Sequence, residues 1–86
     1  MPRICSFHGV VIAMYYREHG VPHFHAVYGE YEASIEIESL DALHGDLPPR
    51  VLRLVKRWAA LHRVELLKNW DLAEHGEVLN DIDPLP

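Results

Sequence analysis

Hydrophobic and polar residues alternate most cleanly from 31 to 37, "YEASIEI". Successive side chains of an extended chain point to opposite faces. Tyr31, Ala33, Ile35 and Ile37 therefore share one face, and Glu32, Ser34 and Glu36 the other. The stretch before it, "HFHAVY" at 23 to 28, sets Phe24, Ala26 and Tyr28 against His23, His25 and Val27. Gly29 and Glu30 lie between the two runs. A two-residue hairpin with Gly first suits a type II′ turn. It pairs Tyr28 with Tyr31, Ala26 with Ala33 and Phe24 with Ile35. On the other face it sets Val27 beside Glu32, His25 beside Ser34 and His23 beside Glu36. A slip of one residue would put Phe24 and Tyr28 among the glutamates, so the pattern fixes the register.

Upstream, "VVIAMYY" at 10 to 16 is β-branched and aromatic, and predicts a strand. "REHGVP" at 17 to 22 interrupts it with Gly20 and Pro22 and predicts a loop. Downstream, a short strand is expected around Ala42 to His44. "LPP" at 47 to 49 then opens a helix, with Asp46 as an upstream cap. Val51, Leu54, Val55, Trp58 and Leu61 follow helical spacing. Leu66, Leu67, Trp70 and Ala73 form a second stripe rotated from the first, which predicts two helices or one bent helix broken near His62-Arg63. Gly76 is expected to end the helical run. Val78, Leu79 and Ile82 are the residues by which the tail would dock.

The pattern predicts one α+β domain over 1–86: mainly β over 1–46, mainly α over 47–76, and a docked tail over 77–86. The expected sheet is antiparallel with three to four strands, its Phe24 face covered by helix. The face of His23, His25 and Glu36 is left open to solvent or a partner.

Composition narrows the function classes. A chain of 86 residues builds one small core, which a homo-oligomer or a partner protein can reinforce. The formal net charge of -5 argues against non-specific binding along a phosphate backbone. Cys5 is the single cysteine, so no internal disulfide forms and a reducing cytoplasm is the expected compartment. Cys5 itself reads as a small half-buried residue. The start "MPRICSFHG" has no apolar leader, and no apolar run approaches the ~20 residues of a membrane span.

His23 and His25 are the first candidate chemistry. They project from one face about 6 to 7 Å apart. Such a pair supplies two imidazoles to one divalent metal, Zn or Mn, with His19 as a third ligand and Glu36 within reach. Alternatively the pair works as acid and base, with Glu36 orienting His23. The plainer reading is an exposed polar face whose His–Glu pairs are worth a few tenths of a kcal/mol; it is preferred, and no cofactor is expected. Arg50, Arg53 and Arg57 make a basic stripe, with Lys56 beside it, for RNA or an acidic partner. Its plainer reading is a solvated helix face whose cations pair with the chain's many acids. Trp58 and Trp70 read as core residues.

"MYYREHGVPHFHAVYGEY" also carries a likeness. Met14-Tyr15, Glu18-His19, Pro22-His23-Phe24-His25-Ala26 and Tyr28-Gly29-Glu30, followed by Gly45-Asp46-Leu47-Pro48 and "RWAALHRVELLKNWDLA", resemble the family called domain of unknown function (DUF) 4160. Val21 stands where another proline is common. The resemblance implies a cytoplasmic bacterial protein with no assigned catalytic residues. It also implies a neighbouring-gene partner in a toxin-antitoxin-like pair. An interaction component therefore ranks first, and an RNase or phosphodiesterase using His23 and His25, with the basic stripe holding RNA, second.

Overall fold

The computed structural model describes residues 2–86; Met1, where the expected domain begins, lies outside them. Five strands form one antiparallel meander in chain order: β1 (Arg3–Phe7), β2 (Val10–Ala13), β3 (His23–Tyr28), β4 (Tyr31–Glu36) and β5 (Ala42–Gly45). Two helices follow, α1 (Pro49–Leu61) and α2 (Arg63–Glu74). The architecture is α+β as expected, with one strand more than the three to four predicted. β1 is the addition. A register shift between Arg3 and Cys5 breaks its alternation, so Ile4 and Cys5 are both buried. It turns into β2 through His8 and Gly9, both at positive φ, as a tight hairpin with primed geometry needs.

The β3–β4 pairing holds at all six predicted positions, from His23↔Glu36 to Tyr28↔Tyr31. Gly29 has φ +57 and Glu30 is not left-handed, which suits a type II′ turn. β2 stops at Ala13, short of the predicted Tyr16, where the chain leaves the sheet and Arg17 takes φ +55. β5 approaches β4 so closely that a Cβ on Gly45 would lie 2.1 Å from the Glu32 carbonyl oxygen. That strand edge requires glycine.

The core lies on the Phe24 face. Val51, Val55, Trp58 and Ala59 of α1 are buried, and Trp58 packs on Phe7 and Phe24 with ring centroids 5.4 and 5.9 Å apart. Asp46 does not cap α1; Pro48 is the N-cap residue and no side chain caps it. With Pro49 at the first turn, one donor that would need a cap is already absent. The break falls at His62, as the rotated stripes require. Gly76, at φ +67, closes α2 in a Schellman motif: its N–H donates to Ala73, and that of Glu77 to Leu72.

The tail docks as expected through Ile82 and through Leu79, which packs against the core, and polar groups add to the contact. Ile82 is buried and its N–H donates to the Ile4 carbonyl, whereas Val78 is exposed. Asn69 is fully buried, donating to the Asn80 carbonyl and accepting from the Asn80 N–H, both at 2.9 Å. The Trp58 indole donates to the Asp83 carbonyl at 2.8 Å. Cys5 is buried rather than half-buried, and burial pushes its thiol pKa up, so it is an inert packing residue.

Replacing Asn69 by leucine removes both bonds to the tail and leaves the Asn80 groups without partners. We expect a loss of about 1–3 kcal/mol in urea unfolding. A substitution as mild as an exposed leucine change would contradict this role.

Candidate functional site

Strand alternation places His25, Ser34 and His44 in one row across β3, β4 and β5, on the face opposite Phe24. His23 lies on the same face two residues before His25. After β2 ends, the loop brings Tyr15, Glu18 and the Val21 carbonyl to these histidines, passing a left-handed Arg17. The Arg17 N–H donates to the Ala73 carbonyl near the end of α2. The next residue, Glu18, reaches both histidines.

The expectation of an open histidine face is therefore corrected. His23 is buried and His25 half-buried. Trp70 backs His23 with ring centroids 5.1 Å apart, and Tyr15 meets His25 edge-on at 4.4 Å. Burial raises the Tyr15 pKa, helped by the Glu32 and Glu18 carboxylates, so its phenol stays neutral beside His25.

The carboxylate that serves the histidines is also not the predicted one. Glu36 is the strand neighbour of His23, but it accepts from the Ser39 hydroxyl at 2.7 Å and shapes the turn after β4. Glu18 takes its place, with Oε1 at 3.3 Å from His23 Nε2 and 2.7 Å from His25 Nε2. His19, the expected third ligand, is exposed and lines the neighbouring groove without joining this cluster. His44 was missed; only its place opposite Ser34 brings it to the groove.

The other ring nitrogens decide how the imidazoles face Glu18. His23 Nδ1 lies 2.7 Å from the Val21 carbonyl oxygen. A carbonyl only accepts, so Nδ1 carries the proton and Nε2 is left toward the carboxylate. His25 Nδ1 faces the Glu32 carboxylate at 3.6 Å. His23 thus anchors Nδ1 behind it, and both rings turn Nε2 to one point. The ligand atoms of Glu18, His23 and His25 all lie within 4.8 Å of one another. Ligands around a zinc ion stand about 3.3 Å apart, given bonds of ~2.0 Å, so a small inward rotation closes the set. Outer hydrogen bonds of this kind are what orient histidine ligands.

The cluster opens into a concavity of about 690 Å³, lined also by Glu32, Ser34 and His44. Among the described residues no Lys or Arg lines it. Arg50, Arg53 and Arg57 line a separate concavity on the outside of α1. Since α1 covers the Phe24 face, the sheet stands between that stripe and the histidines, and the two cannot hold one short stretch of RNA. Nor do these arginines or Lys56 pair with acids: among the described residues every ion pair involves a histidine.

The profile of the family described as Domain of unknown function (DUF4160) matches residues 9–71. The chain belongs to the DUF4160 family. The match spans Glu18, His23, His25, Glu32 and His44. Neither the curated proteins nor the solved structures include a significant match to this chain. Among the described residues no helix is long and apolar enough to cross a membrane.

The geometry separates two glutamates. Glu18→Gln removes the shared charge between the histidines, whereas Glu36→Gln touches only the turn after β4. Histidine ring signals of His23 and His25 in NMR spectra should shift in the first variant and stay in place in the second. Equal shifts in both would restore the sequence-based assignment.

Proposed function

We propose that this DUF4160 domain holds a divalent transition-metal ion at Glu18, His23 and His25 and uses it for hydrolysis in the adjoining groove. The observation that carries this is the convergence of both Nε2 atoms on Glu18 Oε1, with His23 Nδ1 anchored on the Val21 carbonyl. Two imidazoles and one carboxylate make a zinc donor set that keeps a position for water. The nitrogen-rich set favours zinc over manganese, which prefers oxygen ligands. When bound, such an ion lowers the pKa of its water to about 7 and polarises an oxygen of the substrate.

The chain's own residues supply the rest. Glu18 offsets the ion's charge, and Trp70 and Tyr15 limit water around the imidazoles. Ser34 and His44, one and two strands over, face the groove where a substrate would lie. His44 is placed to carry a proton. In a phosphodiesterase or RNase version of the reaction, the ion alone would neutralise the substrate's phosphate, because the arginine stripe lies across the sheet.

A second reading concerns partners. Leu61, Val64 and Leu67 are 67%, 82% and 39% exposed around the junction of α1 and α2. Exposed apolar groups so clustered favour a protein-binding surface. They support the interaction component of a two-gene, toxin-antitoxin-like pair that the family resemblance implies, and equally a homo-oligomer.

Zinc titration followed by elemental analysis tests the first reading. One zinc per chain is expected, with affinity reduced at least ~100-fold in the His23→Ala/His25→Ala variant and strongly reduced in Glu18→Gln. Wild-type protein that retains no zinc, manganese or other divalent ion after dialysis would remove the reading.

A further inference from the structure

We propose that the outer face of α1 is a docking surface for an acidic, partly apolar segment of another protein. Arg50, Arg53, Lys56 and Arg57 are half of the chain's 8 Lys and Arg, gathered on thirteen residues of helix. They line one concavity of about 520 Å³ with Leu54 among them. None pairs with an acid among the described residues, although the chain carries 13 Asp and Glu. A solvated face in so acidic a protein would be expected to find partners at helical spacing. α1 offers none: its first turn holds no acid, and Arg50 stands there against the positive end of the helix dipole. The surface is therefore under-compensated twice, by its neighbours and by its own helix.

Exposed apolar side chains follow at the end of the helix and just beyond it. Leu61 stands one turn beyond Arg57, and Val64 follows in the first turn of α2. Both are among the most exposed large apolar side chains of the protein. A cationic half joined to an apolar half fits a short amphipathic segment with carboxylates at one end and aliphatic groups at the other. Arg50, Arg53 and Arg57 span only about 10 Å of helix axis. A nucleic acid strand would run past that length onto a protein of net charge -5, and no aromatic side chain lines this concavity to stack a base. A compact acidic segment meets neither problem. Such a surface deepens the partner reading above and is independent of the metal site, which lies on the other side of the sheet.

The probe is a synthetic helical peptide with glutamates at the spacing of Arg50, Arg53 and Arg57 and leucines one turn beyond. Fluorescence anisotropy should show saturable binding that weakens with salt. Affinity should fall ~tenfold or more in Arg53→Glu/Arg57→Glu. It should fall also in Leu61→Ser/Val64→Ser, and stay unchanged in Glu18→Gln. Equal affinity for a peptide with lysines in place of the glutamates would overturn the proposal, as would tighter binding of a single-stranded RNA oligonucleotide. Absence of binding overturns it too. If the leucine and valine changes abolish binding while the charge reversal does not, a partner surface survives and its acidic chemistry fails.

Discussion

The pairing of β3 with β4 across Gly29-Glu30 determines which side of the sheet every other element covers. It sends Phe24, Ala26, Ala33 and Ile35 to one face and His23, His25, Glu32 and Ser34 to the other. α1 then has one place to bury Val55 and Trp58. A slip of one residue would exchange the faces and leave the histidines under Trp58. The polar face inherits its order from the same pairing, extended by β5, which adds His44 to the row of His25 and Ser34.

One face of polar side chains does not make a site. The site forms because the chain between β2 and β3 brings Glu18 to that face and is held there. Arg17 is fixed to the end of α2 by its N–H on Ala73, and a Cβ at Gly76 would come within 2.6 Å of its guanidinium. α2 thus both stops cleanly in its Schellman motif and leaves room for the residue beside Glu18. Trp70, from the same helix, supports His23 from behind. Leu66, Trp70 and Ala73 of that helix are core residues, as its apolar stripe predicts, and Trp70 also supports the polar pocket.

The hairpin, its register, the helix break at His62 and the role of Gly76 were legible because each follows from local rules of period and φ. β1 was not, since its bulge buries two successive residues and erases alternation. His23 and His25 were readable as a pair displayed together. Their carboxylate was not: strand register brings Glu36 nearest, but Ser39 draws that side chain away, and Glu18 arrives only through a loop whose path depends on α2. His44 was hidden for a similar reason, being two strands from His25. The arginines were expected to pair with acids, but charge composition says nothing about placement. The acids lie elsewhere in the fold.

Both imidazoles present Nε2 to Glu18, where one cation would bind, and His23 Nδ1 is held behind on the Val21 carbonyl. Long-range ¹H–¹⁵N correlation spectra of histidine-labelled protein, recorded with one equivalent of zinc, test it most directly. Metal-coordinated Nε2 and protonated Nδ1 are expected for both His23 and His25, with the exposed histidines unchanged. Coordination through Nδ1 of either residue, or zinc-dependent changes confined to other histidines, would contradict it.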